Sequence, residues 1–270
     1  MRVAGLPVAH FPMLAWPHPF SYFPVTDSTS AVLKAWVQDD RSLPGAVAAG
    51  EQTAGRGRGD NVWRSPSGGL YLSVAIPVAD PPLLHLIGPS IGVAVARWLQ
   101  ERFGVGVRLK WPNDWLIEDR KLGGLLLELV RAPRGQLAVI AGLGLNALAT
   151  PQVPDRRAFL PTSLAEWTDV TDLQLEPLAR ELAVVVLEAG QVGAAREPVL
   201  RAAMKDLSCT LGRPVSVLVP GGELVSGLAV DFGPDFSLCV RTGDRVVRVQ
   251  AGDCFHEMVT GSPEPTNEGG

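Results

Sequence analysis

Lys110-Trp111-Pro112-Asn113-Asp114-Trp115-Leu116-Ile117-Glu118-Asp119-Arg120-Lys121-Leu122-Gly123-Gly124-Leu125-Leu126-Leu127-Glu128 is the stretch on which the fold turns. Pro112 keeps Trp111 extended. Asn113 and Asp114 tolerate the left-handed conformation and bond their own backbone, so they predict a turn. Residues 115–117 and 121–130 then read as two strands joined by the polar turn Glu118-Asp119-Arg120. A lysine opening so apolar a strand stands either at its solvent end or at a ligand. Gly123 and Gly124 inside a strand predict the close approach of a ligand or another backbone. With Asn113, Asp114 and both glycines alongside, Lys121 reads as a site residue. Asp114 is the natural oxygen ligand for a Mg²⁺ shared with phosphates.

A second stretch carries the same kind of chemistry: Glu51-Gln52-Thr53-Ala54-Gly55-Arg56-Gly57-Arg58-Gly59-Asp60-Asn61-Val62-Trp63-Arg64-Ser65-Pro66-Ser67-Gly68-Gly69. Its alternate glycines let backbone approach a ligand closely. Arg56 and Arg58 add planar, permanently charged forks suited to carboxylate or phosphate. Trp63 adds a flat apolar face. Such a loop can close over an anion and exclude water. The alternative, an RGG-type nucleic-acid tail, is long and repetitive, whereas this loop is short and lies between strand-like runs.

Working outward, 21–26 reads as a short strand. Asp27-Ser28-Thr29-Ser30 offers N-caps for a helix over 31–38, and the hydroxyls left over point from a strand–helix junction. Residues 43–52 and 70–77 read as strands. Pro81-Pro82 opens a helix whose apolar spacing runs to Leu99, with Trp98 in the core and Gly104 as its stop. Residues 138–146 form a buried strand ending Gly142-Leu143-Gly144-Leu145-Asn146. This is not a dinucleotide fingerprint, because the third glycine and the acidic partner are missing, and no Walker A sequence occurs. Ser163-Leu164-Ala165-Glu166 is a capping box. Residues 176–188 and 197–207 predict amphipathic helices. From 211 onward, five short strand-like runs (214–219, 224–231, 236–241, 245–250 and 254–259) predict a small all-β barrel or sandwich. The expected organisation is an N-terminal extension (1–20), a main domain (21–210), a small β domain (211–260) and a disordered tail (261–270).

Composition narrows the classes. A chain of 270 residues with 46% hydrophobic content can bury a sizeable core. Its formal net charge of −4 gives no global field toward nucleic acid or acidic membranes, so site cations act locally. Three cysteines (Cys209, Cys239, Cys254) without metal spacing point to a reducing cytoplasm, and the four histidines form no ligand cluster. Early prolines break any signal-peptide core, and no apolar run is read as approaching transmembrane length.

Taken together, Asp27-Ser28-Thr29, Gly55-Arg56-Gly57-Arg58 with Trp63-Arg64-Ser65-Pro66, Lys110-Trp111-Pro112-Asn113-Asp114, Lys121 with Gly124 and Glu128, and Gly142-Leu143-Gly144-Leu145-Asn146 resemble the biotin–protein ligase family over residues 21–260. The resemblance implies an α+β fold: a central mixed sheet flanked by helices, related to class II aminoacyl-tRNA synthetases, with a C-terminal SH3-like barrel. It implies biotin and ATP as substrates with Mg²⁺, biotinyl-5′-adenylate as intermediate, and a biotin carboxyl carrier protein (a subunit or domain of acetyl-CoA carboxylase) as partner. Ser28, Thr29, Ser30, Gln52, Gly55 and Gly124 would meet biotin. Arg56 and Lys121 would hold its carboxylate beside the α-phosphate, with Arg58 on phosphate. Gly57, Trp63, Lys110, Asn113, Asp114 and Asn146 would shape the nucleotide side. Bacterial members often continue the loop as GRGR-x-G-R-x-W, whereas here Gly59-Asp60-Asn61-Val62 intervenes, nearer the eukaryotic form. About twenty residues precede the core, where bifunctional members carry a winged helix, which argues against DNA binding and repression. Pairing of two copies through sheet edges is a family habit. The rival readings are a lipoate–protein ligase, which shares the fold, and a biotin-responsive regulatory protein.

Overall fold

Alternation along one strand, Leu70–Pro77 (β3), divides the molecule into two faces. Leu70, Leu72, Val74 and Ile76 point into a large apolar cluster, and Ala75 joins a smaller one on the opposite side. The computed structural model describes residues 16–39, 41, 43–153, 159–191 and 193–256. The strands Phe20–Phe23 (β1), Gly45–Ala49 (β2), Arg108–Lys110 (β4), Asp114–Ile117 (β5), Arg120–Arg131 (β6) and Leu137–Leu145 (β7) complete a seven-stranded sheet. Its order is β1-β2-β3-β7-β6-β5-β4. Only the β1–β2 pair is parallel, so the sheet is mixed.

The large cluster lies under three helices, Leu84–Phe103 (α2), Leu175–Gly190 (α3) and Glu197–Leu207 (α4), and includes Trp98, Leu182 and Met204. The helix Thr29–Gln38 (α1) covers the other face through Leu33 and Val37, which pack on Val47, Ala75 and Ile140. α2 stops at Gly104, whose φ of +68° is the left-handed cap expected there. With the 3₁₀ turn before it, Pro81–Phe103 is long and apolar enough to span a bilayer, which corrects the sequence reading of apolar run lengths. Half of its most apolar window is buried, and α2 packs on α3 and α4, as a core helix does.

Several boundaries shift for local reasons. Glu118 and Asp119 both take positive φ, 46° and 60°, so the hairpin needs only two turn residues and β6 begins at Arg120. β1 ends at Phe23, and Thr26 makes only an isolated bridge to Gln52. The capping box forms as expected, on the 3₁₀ turn Leu164–Glu166.

The last five strands are Pro214–Leu218 (β8), Leu224–Phe232 (β9), Leu238–Thr242 (β10), Arg245–Val249 (β11) and Asp253–His256 (β12). They form one antiparallel sheet, ordered β11-β10-β9-β8-β12. The sequence predicts a small barrel or sandwich, and closure into a barrel is not shown, because β11 and β12 are edges that do not pair with each other among the described residues. The expected strand over 254–259 is described only to His256, and the N-terminal extension before residue 16 and the C-terminal tail lie outside the described residues.

The second sheet locks onto the first at the Lys110–Asp114 stretch. The Trp111 amide donates to Thr210 Oγ1 (3.0 Å) and its indole N–H to the Phe236 carbonyl (3.1 Å). Arg108 donates to the Leu207 and Ser208 carbonyls. His256 Nε2 lies 3.1 Å from Thr210 Oγ1, with the ring edge-on to Phe159. Burial, with Lys110 and Arg213 nearby, pulls the His256 pKa down to about 4. The folded protein therefore holds this imidazole neutral, while the unfolded chain takes up a proton near its ordinary value of 6.5. Stability from this group is complete above about pH 6.5 and is lost as pH falls toward 4. We expect the thermal unfolding midpoint to fall as pH drops from 6.5 to 5, and His256→Gln to flatten that slope. An equal slope in the variant would remove His256 from the junction's energetics.

Candidate active site

Cross-strand register clears a trough on the α1 face of the large sheet. Ser73 of β3 pairs with Gly142 of β7, and Gly142 with Leu126 of β6. One step along, Gly144 pairs with Gly124, and Gly124 with Asp114 of β5. A Cβ on Gly144 would run into the Trp63 indole, and one on Gly124 would come 3.1 Å from Asp114 Oδ1. The two glycines therefore form a floor on which Trp63 lies. The cavity above has a volume of about 490 Å³, within the range of small-molecule sites.

One end of the trough is uncharged and hydrogen-bonded. Ser28 caps α1, accepting from the Ala31 amide. The Thr29 amide and hydroxyl both donate to Gln52 Oε1, at 2.9 and 3.2 Å. Ser73 Oγ lies 2.8 Å from Thr29 Oγ1 and 2.9 Å from Ser30 Oγ. Gln52 Nε2 donates to Ser65 Oγ, which donates to the Trp63 carbonyl. Gly55 is required here, since a Cβ would strike Ser65 Oγ and the Trp63 carbonyl. This chain of small polar groups is buried at Ser28, Thr29, Ser30, Ser65 and Ser73. It ties the loop to the helix start.

The other end is cationic, and four of the five basic side chains that line it have a carboxylate partner, the exposed Arg64 being the fifth. Lys121 Nζ is 2.8 Å from Asp114 Oδ1 and sits 5.0 Å from the centre of the Trp63 ring. Buried Lys110 reaches the other oxygen of Asp114 at 3.8 Å. Arg56 pairs with Glu128 at 2.8 Å, and Lys34 of α1 takes the second Glu128 oxygen at 2.5 Å. Arg58 reaches across to β12, donating to the Gly252 carbonyl at 3.0 Å with Asp253 at 3.9 Å. Asn113 Nδ2 donates to the Leu125 carbonyl. Asn146 Nδ2 donates to the Thr162 and Lys121 carbonyls, fixing the strand end that bears Lys121. Two buried atoms on the cavity wall, Trp63 Nε1 and Asn146 Oδ1, have no protein partner among the described residues.

The chemistry this allows is specific. Five basic side chains line one cavity, four of them paired with carboxylates, which suits two anionic reactants that repel each other. Burial pushes the Cys254 and Cys209 thiols up to about 11, so neither is a thiolate nucleophile near neutral pH. Asp114 is already shared by two ammonium groups, and the described residues contain no cluster of three potential metal ligands. A magnesium ion meeting Asp114 would therefore take most of its oxygen ligands from phosphates and water.

The chain is 33% identical over 238 residues to the biotin–[acetyl-CoA-carboxylase] ligase of Mycobacterium tuberculosis, an alignment covering 86% of each chain. It belongs to the biotin–protein ligase family. Residues 22–146, which hold every site side chain expected from sequence, match the Biotin/lipoate A/B protein ligase family model. The Bacillus subtilis bifunctional ligase/repressor BirA is 34% identical over 151 residues, 54% of this chain and 46% of that protein. In three dimensions the chain resembles a biotin protein ligase from Aquifex aeolicus, solved in complex with biotin and ATP. The TM-score is 0.72 at 24% identity, over 88% of this chain and 98% of that one, a likeness of fold.

The expected family site residues Ser28, Thr29, Ser30, Gln52, Arg56, Gly57, Arg58, Trp63, Lys110, Asn113, Asp114, Lys121, Gly124 and Asn146 all line this one cavity, whereas Gly55 packs against Ser65 and the Trp63 carbonyl and does not line it. Sequence reasoning assigned no role to Ser73, Lys34 or the β12 wall, and it quoted Glu128 without a role. Ser73 left one signal, a hydroxyl in the otherwise apolar run 70–77. We expect Ser73→Ala, which leaves two buried hydroxyls short of a partner, to lower stability by about 1–3 kcal/mol. Urea unfolding measures this, and an unchanged midpoint would mean that the hydroxyl chain does not hold the helix start in place.

Proposed function

We propose that the chain is an ATP-dependent biotin–protein ligase acting on a carrier domain of acetyl-CoA carboxylase. The observation that carries this is the pairing of family membership with the trough, whose uncharged, hydrogen-bonded end adjoins a cluster of cations, four of them held by carboxylates. A biotin carboxylate oxygen attacks the α-phosphorus of ATP. The new O–P bond replaces the bond to the β-phosphate, and pyrophosphate leaves with the electron pair. The amine of a carrier lysine then attacks the acyl carbon. An N–C bond forms, the bond to the adenylate oxygen breaks, AMP departs, and the ammonium proton goes to solvent.

The residues take roles that their surroundings support. Thr29, Gln52 and Ser73, with Ser28 and Ser30 at the helix start, present donors and acceptors to the ureido ring. Mispairing there penalises analogues that lack those groups. Arg56 and Lys121 bring carboxylate and α-phosphate together, and Arg58 and Lys110 serve the remaining phosphate charge. Their carboxylate partners hold them in place beforehand, so little reorganisation accompanies the reaction. Asn146 Oδ1, the unpartnered acceptor, suits an amino group of adenine, and Trp63 offers that ring a face. Magnesium would neutralise phosphate charge there, and Asp114 is the cavity carboxylate that would meet it. We read 21–210 as the catalytic unit and the C-terminal sheet as a variant of the SH3-like module. The free cysteines accord with work in a reducing cytoplasm.

Pyrophosphate release from MgATP, measured with biotin and with lipoate in the absence of any acceptor, tests the reading. Release should require biotin, and release with lipoate alone would reassign the substrate. Lys121→Ala should retain its fold and lose at least ~100-fold in that rate, about 3 kcal/mol of transition-state stabilisation. Near-normal release would remove Lys121 from the chemistry. Arg58→Gly unlatches the loop from β12. It should still form the adenylate but shorten its residence on the enzyme, as followed by dissociation of labelled adenylate.

A further inference from the structure

Large apolar side chains stand exposed around the mouth of an otherwise polar and cationic cavity. Val62 of the glycine-arginine loop is 70% exposed, Phe255 of β12 is 40% exposed and Val153 is 38% exposed. All three line the same cavity. Leu160, 62% exposed, sits between Phe159 and Pro161, which line it too. Scattered exposed apolar residues are ordinary on a protein surface. These are not scattered, because they come from three separate parts of the chain and meet at one opening. The backbones of Val62 and Phe255 are fixed in ways that do not need the side chains to be apolar. Val62 bridges Arg56 through the main chain, and Phe255 pairs with Ser216 in the β8–β12 ladder.

The reaction in the preceding section says what must reach this opening. Its first half uses only small molecules. Its second half requires a lysine borne on a folded domain to come within bonding distance of an acyl group on the trough floor. The domain carrying that lysine cannot enter 490 Å³, so it must rest on the mouth. An apolar rim around a polar centre is the arrangement by which an interface excludes water from a few decisive contacts.

We propose that Val62, Val153, Leu160 and Phe255 form the docking rim for the carrier domain. The rim acts only in the second half-reaction. This rests on the ligase reading.

The test uses the whole chain carrying Val62→Ser and Phe255→Ser, singly and together, with the biotinyl domain of acetyl-CoA carboxylase as acceptor. Each single variant should raise KM for that domain about five-fold, and the pair by more than ten-fold. Pyrophosphate release with biotin and MgATP but no acceptor should stay within two-fold of wild type, as should consumption of the adenylate by hydroxylamine, which needs no docking. Unchanged carrier KM in the double variant overturns the rim. So does an equal loss in carrier transfer and in acceptor-free release, because the residues would then serve adenylation. Failure of the wild type to release pyrophosphate with biotin is a separate result, and it removes the ligase reading together with the docking surface built on it.

Discussion

The site depends first on strand register. Side chains alternate across a sheet, so a slip of one residue between β6 and β7 would exchange the two faces of a strand. The observed pairing puts Gly124 opposite Gly144 and Gly142 opposite Ser73, which leaves one face bare of bulk where the ligand chemistry lies. The other face keeps Leu125, Leu143 and Leu72 in the large apolar cluster. Burial of that cluster under α2, α3 and α4 is what holds the register. The trough is thus a by-product of the core's own alignment, and the loop and helix start are fitted to it afterwards.

Charge is the second constraint. Clustering four cations without partners would be costly, since like charges disfavour one another at short range. The chain resolves this with three carboxylates drawn from three places: Asp114 between Lys110 and Lys121, Glu128 between Arg56 and Lys34, and Asp253 beside Arg58. Each partner lies on a strand, so the cations inherit strand-like placement although two of them belong to a loop. A loop so anchored at both sides of the cavity can combine the access that a flexible segment allows with the positioning that catalysis demands.

Much of this was legible in the sequence where local rules decide. β3 falls on 70–77 as read, α2 ends at Gly104, and the capping box at Ser163 forms. The charged site residues were legible because arginines among glycines and a lysine opening an apolar strand break local pattern. What escaped was long-range. Glu128 meets Lys34 across 94 positions of sequence, and Arg58 meets Gly252 across 194, so no window of the chain contains either pair. Ser73 was hidden differently, because a small hydroxyl in a strand carries little signal until its neighbours are known. Regular spacing of the last five short strands fixes their number but not whether the end strands meet, so barrel and sandwich stayed equally open there.

The junction at Trp111 bears on how the molecule behaves as a material. Leu109 and Trp111 of the first sheet and Val215, Phe232 and Phe236 of the second belong to one continuous apolar cluster. Leu211 therefore marks a change in topology and not a break in the core. A protease cut there would separate two pieces that each expose half of a shared interior, and amide hydrogens on both sides of it would exchange through the same cooperative opening. The second sheet is better thought of as a wall of the same room than as an annex.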